Sequence, residues 1–326
     1  MLHPITRRAL ALALALAPLS GAIAQAQGYP NKPIKLMVPA ATSGVTDYIG
    51  RMVGQKLSER LGQPFIIENK PGVGGNLGTE IVAKAAPDGY TLLLGFASPF
   101  TVNPWLYKNM SFDGARDFIP LNLMLSFPMV LAVNPSLPVK NVAELLALGK
   151  RETKGLTMGS AGNATTSHLT LELLQREAGI KLLHIPYKGE APTMNAVMAG
   201  DIQTAFATGT VVMPLHQSGR VRALAVTSRE RSRSYPDLPT LAESGVKDFE
   251  AVGWIGVLAP TGTPAPIVER LSRELAAIMR DPAVQKDMIA RGLDPIGADG
   301  PAFHKRILQE RAMWQKLVTE SNMRME

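Results

Sequence analysis

The residues that could do chemistry in this sequence gather in short loops of small and hydroxyl-bearing side chains. One loop runs Pro39-Ala40-Ala41-Thr42-Ser43-Gly44-Val45-Thr46-Asp47, and a second runs Gly159-Ser160-Ala161-Gly162-Asn163-Ala164-Thr165-Thr166-Ser167-His168. A third, Gly95-Phe96-Ala97-Ser98-Pro99-Phe100-Thr101, has the same character. Each follows a short apolar run, and the first two lead into a helical pattern. A helix start presents unpaired N–H groups and about half a positive charge, so it holds a carboxylate without Lys or Arg. Ser and Thr hydroxyls add further donors there. Ordinary capping explains any one such loop equally well. Two of them facing a shared cleft from opposite halves favour a ligand, because ligands of α/β proteins sit at strand ends.

Other chemistries fail on spacing. Ser160 and His168 suggest a hydrolase pair, but Met158 stands where a nucleophile elbow needs glycine. His168, His184, His216 and His304 have no metal-ligand spacing, and cysteine is absent, so thiol and Cys-zinc chemistry are excluded. Pro71-Gly72-Val73-Gly74-Gly75-Asn76-Leu77-Gly78 departs from a dinucleotide fingerprint, and no acid ends the next strand for a ribose. Its glycines read as a tight turn with close helix packing. The basic run Ser228-Arg229-Glu230-Arg231-Ser232-Arg233-Ser234 lacks interleaved aromatics and reads as a solvated surface loop. No nucleophile, acid–base pair or metal cluster can be assembled, so the expectation is a non-enzyme without cofactor or metal.

The elements that must position these loops alternate. Strands are predicted at 34–38, 65–68, 90–94, 156–158, 182–185 and 202–206, and helices at 45–61, 77–85, 169–178 and 193–199. This alternation predicts largely parallel sheets with helices on both faces. Phe127-Pro128-Met129-Val130-Leu131-Ala132-Val133-Asn134-Pro135 reads as a strand carrying the chain between lobes, and the return falls near 249–258. Helices at 266–279, 282–291 and 301–320 are expected to pack back onto the first lobe, with prolines near their starts.

The 326 residues are 46% hydrophobic and 19% charged, which supports a sizeable core and excludes general disorder. Arg7-Arg8, the apolar run from Ala9 to Leu19 and small residues at 22–26 form an export signal, giving residues 1–26 as a leader cleaved on entry to a bacterial periplasm. The apolar run is too short to span a bilayer about 30 Å thick. Removing Arg7 and Arg8 lowers the formal net charge from +7 to +5. No Cys follows the run, which excludes a lipoprotein, and the mature chain is expected to be soluble.

Several motifs carry a specific resemblance. Glu68-Asn69-Lys70-Pro71-Gly72-Val73-Gly74-Gly75-Asn76, Ala86-Pro87-Asp88-Gly89-Tyr90-Thr91-Leu92-Leu93 and Gly159-Ser160-Ala161-Gly162-Asn163 are the most telling. His184-Ile185-Pro186-Tyr187-Lys188-Gly189, Arg222-Ala223-Leu224-Ala225-Val226-Thr227 and Gly253-Trp254 extend it over nearly all the mature chain. The sequence resembles the Bug family, the extracytoplasmic solute receptors of tripartite tricarboxylate transporters. The resemblance implies an α/β periplasmic-binding-protein type II fold of two lobes with two crossover strands. Lobe 1 is then 27–130 with 250–326, and lobe 2 is 131–249. It implies a monomeric receptor that passes a small carboxylate to membrane permease subunits. A ligand-sensing accessory of a periplasmic sensor, or an enzyme on the same fold, are the alternatives.

On this reading Ala41, Thr42, Ser43 and Asp47 serve the first-lobe side, with Asp47 capping its helix or ordering water. Ser160, Ala161, Gly162, Asn163, Thr165 and Thr166 hold a carboxylate from the second lobe, and Ser98, Tyr187, Thr208 and Trp254 line the cleft. The chain departs from the family at Ala40, where an aromatic is usual, and at Ser43-Gly44, where a glycine pair is usual. Gln203 and Ala207 stand where acids suit amino-acid ligands, so a non-amino mono- or dicarboxylate is expected, with an aromatic one suggested by the space at Ala40.

Overall fold

A computed structural model describes residues 28–163 and 165–321; the predicted leader lies outside the described residues. Strand β1 (Ile34–Val38) pairs in parallel with β2 (Phe65–Asn69) and β3 (Thr91–Phe96). Helix α1 (Val45–Leu61) connects β1 to β2. Its buried stripe of Ile49, Val53 and Leu57 lies at helical spacing, and each fully buried aliphatic contributes about 1.5–3 kcal/mol. Gly54 lets it approach the sheet, since a Cβ there would stand 2.6 Å from Ile67. A left-handed Gly62 (φ 70°) ends the helix by donating to Ser58. A 3-10 turn (Val73–Gly75) leads into α2 (Asn76–Ala83), and the short α3 (Ala97–Thr101) and α4 (Asn103–Leu106) follow β3.

Strand β4 (Phe118–Val133) joins the two halves of the molecule. Residues 118–128 pair antiparallel with β9 (Val252–Pro260), and residues 129–133 pair antiparallel with β7 (Thr204–Thr208). The second half is built from α5 (Val142–Arg151), β5 (Leu156–Ser160), α6 (Thr166–Ala178), β6 (Leu182–Pro186), α7 (Glu190–Ala199), β7, α8 (Gly209–Gln217) and β8 (Arg222–Val226). There β5 runs parallel to β6 and β7. The chain returns beside its first crossing: Thr227 donates to Met129, Ala251 donates to Thr227, and Val252 lies opposite Pro128. After β9 come α9 (Ala265–Met279), α10 (Pro282–Ala290), β10 (Asp294–Asp299) and α11 (Gly300–Glu320). The sheet order is β2-β1-β3-β9-β4-β7-β5-β6, with β10 and β8 also on β4.

This is an α/β fold of two lobes. The expectation of largely parallel sheets needs correction, because β4, β9 and β10 run antiparallel to their neighbours. A strand that passes straight from one lobe into the next, and a second that returns beside it, must run in opposite senses. The last helix also departs from expectation. Phe303 and Ile307 pack in the first lobe with Trp254, but Trp314, Leu317 and Val318 join Leu169, Leu173 and Phe206 of the second. Helix α11 therefore straddles both lobes.

The basic run is likewise not a freely solvated loop. Ser232 is 2% exposed, and its hydroxyl, with the N–H and hydroxyl of Ser234, donates to Asp294 Oδ1 at 2.9–3.0 Å. This strap ties lobe 2 to β10 of lobe 1. Among the described residues no helix is long and apolar enough to cross a membrane.

Candidate functional site between the lobes

The C-terminal ends of β1 and β3 in one lobe, and of β5 and β7 in the other, bring their following loops to the interlobe space. A cavity of about 550 Å³ lies between the lobes. Its first-lobe wall includes Pro39, Ala40, Phe96, Ser98, Leu106 and Tyr107, and its second-lobe wall is Asn163, Thr165 and Thr166. The glycine loop supplies the rest through Gly72, Gly74 and Gly75. Four successive residues there, Gly72 to Gly75, have φ of 137°, 48°, 61° and 91°. For Val73 that conformation costs about 1–2 kcal/mol. Gly75 is obligatory because a Cβ would meet the Phe96 ring at 2.4 Å. The expected tight turn with close packing is what these glycines provide.

Helix α6 opens on this cavity from the second lobe. Its N-cap, Thr165, makes no side-chain cap because the hydroxyl donates instead to the Gly162 carbonyl at 2.7 Å. Behind the loop, Ser167 Oγ accepts from the Ala161 N–H at 2.9 Å, and Ser160 Oγ accepts from the Gly162 N–H at 3.2 Å. The loop is thus held from within, while the start of α6 borders the cavity with Thr165, Thr166 and the positive end of its dipole.

A second cavity, about 610 Å³, lies beside the start of α1 and includes Ser43, Asp47, Tyr48, Arg51, Thr210 and Arg291. Gly44 is the N-cap of α1 and has no side chain to cap with. Asp47 is buried and accepts from the Ser43 N–H at 3.0 Å and from Arg51 Nε at 3.1 Å. The Arg51 guanidinium, foremost, holds the Asp47 carboxyl below the usual range against the opposing effect of burial. Arg291 is paired with Asp287 at 3.1 Å and lies 4.0 Å over the Tyr48 ring. Ser43, at φ 68°, carries a side chain where a left-handed residue favours glycine.

The structure sorts the expected site residues. Ser98, Asn163, Thr165 and Thr166 come together on the first cavity, and Ser43 and Asp47 line the second. Thr208 lines a small pocket with Gly209, Arg291 and Gly292, where its hydroxyl and N–H are engaged by Glu190 at 2.6 and 3.1 Å. Ala41 and Thr42 are exposed on the loop after β1. Ala161, Gly162 and Tyr187 are half-buried, with Ala161 and Gly162 spending their N–H groups on the loop itself and Tyr187 donating its own to the Ser160 carbonyl at 3.0 Å.

Three expectations are corrected. Trp254 does not line the cleft: it is wholly buried, packed against Phe303 and Phe100, with its indole N–H donating to Glu310 at 2.8 Å. Ser160 is wholly buried, with its hydroxyl 2.6 Å from His184 Nε2, so it cannot touch a ligand through its side chain. That serine–histidine pair has the spacing of a nucleophile and base, but a carbonyl cannot reach an oxygen with no exposure. Burial first, then the stacked His168 ring at 3.9 Å, pushes the His184 imidazole down to about 4. Gln203 precedes β7 at the end remote from the cleft, bonded to Thr157, and Ala207 is buried in the core. Neither position can select against an amino group.

Sequence reasoning missed Leu106, Tyr107, Arg51 and Arg291. Phe96 lay in a loop already singled out, whereas nothing local marked Tyr107 or Arg291, which reach their cavities only through tertiary packing. Among the described residues no group of three or more His, Asp or Glu could hold a metal.

Residues 49–323 match the family described as tripartite tricarboxylate transporter family receptor. A Bordetella pertussis protein named BugT is 32% identical over 302 residues, covering 92% of this chain and 93% of that one. An Agrobacterium vitis protein, described as a UPF0065 protein in the TAR-I ttuE-ttuC' intergenic region, is 39% identical over 278 residues, covering 85% and 80%. Among solved structures, the R. palustris protein Rpa4515 with adipate is 32% identical at a TM-score of 0.74, covering 91% of this chain and 100% of that one. A TctC solute-binding protein from Polaromonas superposes at 0.80 with 29% identity, covering 90% and 99%. MatC from Rhodopseudomonas palustris with bound malate superposes at 0.70 with 28% identity, covering 89% and 100%.

Proposed function

The chain belongs to the tripartite tricarboxylate transporter receptor family, and from that premise we propose that it is an exported periplasmic receptor for a small organic carboxylate. It acts as a monomer, performs no turnover and needs no cofactor. Lobes 27–130 with 250–326, and 131–249, close on the ligand about the paired crossings at Met129 and Ala251 and deliver it to membrane permease subunits. The observation that carries this reading is the start of α6, left without a side-chain cap and opening on an interlobe cavity. The adipate- and malate-bound relatives support a carboxylate as the charge it receives. Asn163, Thr165 and Thr166 hold the carboxylate, and Ser98 faces it from lobe 1. Ser43 and Asp47 shape the start of α1. The ligand lacks an α-amino group, because no acidic side chain lines the cavity among the described residues and a buried ammonium would be unpaired.

The test is a thermal-shift and calorimetric screen of refolded, ligand-free protein against mono- and dicarboxylates and their matched amides. At a hundred times Kd a binding acid stabilises by about 2.7 kcal/mol, a rise of about 5–10 °C, and the amides do nothing. A panel of acids that moves nothing overturns the reading.

A further inference from the structure

The two ends of the first cavity differ in chemistry. The second-lobe end is polar, with Asn163, Thr165 and Thr166 around the α6 start. The opposite wall is mainly apolar, formed by Pro39, Ala40, Phe96, Leu106 and the Tyr107 ring, with the hydroxyls of Ser98 and Tyr107 as its uncharged polar groups. Asn103 lies on that side too, but its amide is already spent on Gly74 and Asn76 at 3.1 and 2.7 Å. No Asp, Glu, Lys, Arg or His lines the cavity among the described residues. The guanidiniums of Arg51 and Arg291 belong to the other cavity, which shares no lining residue with this one, and each is paired with its own carboxylate.

Resting on the carboxylate-receptor reading, we infer that the preferred ligand is a monocarboxylate with an apolar or aromatic body. Its carboxylate meets α6, and its body lies against Phe96, Leu106 and Tyr107 in the room that Ala40 leaves. These wall residues set specificity. A second carboxylate at that wall would lose its water and find no cation, only the hydroxyls of Ser98 and Tyr107, which is costly for a buried ion. The apolar body instead gains by leaving water. This separates the chain from its adipate- and malate-bound relatives, whose ligands carry two carboxylates.

Hexanoate and adipate isolate the point, since they share a six-carbon chain and differ by one carboxylate. Calorimetry on the refolded full mature chain is expected to give hexanoate a Kd at least tenfold below that of adipate, with phenylacetate also binding. Tyr107→Lys, which offers a cation at the far wall, shifts the ratio at least tenfold towards adipate. Ala40→Phe, which fills the wall, weakens phenylacetate at least tenfold, with circular dichroism confirming the fold of both variants. Adipate binding as tightly as hexanoate to the unaltered protein overturns this inference and leaves the receptor reading standing. Failure of every carboxylate overturns both. The comparison on the unaltered chain decides the matter even if a variant fails to fold.

Discussion

Three helices of this molecule begin with a side-chain cap that the two whose starts border its larger interlobe cavities lack. Asn141, Asp281 and Asp299 each accept from a first-turn N–H of α5, α10 and α11. The starts of α1 and α6 have no such partner: Gly44 has no side chain, and Thr165 turns its hydroxyl away to Gly162. A side-chain cap contributes about 1 kcal/mol, so the chain forgoes that stabilisation at both of these starts. The starts of α1 and α6 also differ from each other. At α1 the protein supplies its own anion, Asp47, held by Ser43 and Arg51. The α6 start has no acidic residue in its first turn and borders the cavity without charged walls. The starts of α2, α7, α8 and α9 also make no side-chain cap, so it is the opening of α6 on an interlobe cavity without charged walls that favours a ligand there.

The largest way to break this contrast is to give α6 an internal anion. Thr165→Asp puts a carboxylate where the ligand's belongs, and calorimetry should show affinity falling about 100-fold, equivalent to about 2.7 kcal/mol. Stability should change by less than about 1 kcal/mol. Unchanged affinity in a folded variant would remove α6 from the site.

A pH experiment probes what holds the α6 loop from behind. Folded His184 stays neutral down to about 4, whereas an unfolded histidine titrates near 6.5. The unfolded chain takes up the proton first, so this contribution is complete above 6.5 and is lost as pH falls towards 4. Between pH 7 and 4.5 the native chain should lose on the order of 2 kcal/mol more than His184→Asn in urea melts. Parallel losses would mean that burial of this ring does not support the loop.

The smallest effects belong to the outer helices. Asn141→Ala and Asp299→Ala should each cost about 1 kcal/mol of unfolding free energy and leave ligand affinity within twofold. A cap deletion that weakened binding as much as it weakened folding would erase the distinction between the two kinds of start.

Much of the frame was legible in the sequence because periodicity reports burial. The apolar spacing of Ile49, Val53 and Leu57 places α1 at its observed bounds, and the compact run at 34–38 places β1. The crossing at Phe127–Pro135 was readable as apolar and proline-bearing. Its true extent from Phe118 was not, because a strand buried on both faces shows no alternation. Strand β10 was missed because Asp294-Pro295-Ile296-Gly297 reads as a turn, and only pairing with β4 makes it a strand. Site residues divide in the same way. Thr165 and Thr166 follow from their place at a helix start. Trp254 misled because the Gly253-Trp254 motif says nothing about which face of β9 its indole occupies. Gln203 misled because one residue decides which end of β7 it stands on. The bond from Ser232 to Asp294 spans 62 positions, and no local pattern encodes it.

The central claim is that a carboxylate is received by the opening turn of α6, and amide NMR of the isotope-labelled mature protein tests it most directly. Titration with the tightest-binding acid found by calorimetry is predicted to move the backbone N–H signals of Thr166 and Ser167 downfield more than those at the capped starts of α5 and α11. Saturation by calorimetry with the Thr166 and Ser167 signals unmoved would contradict the account.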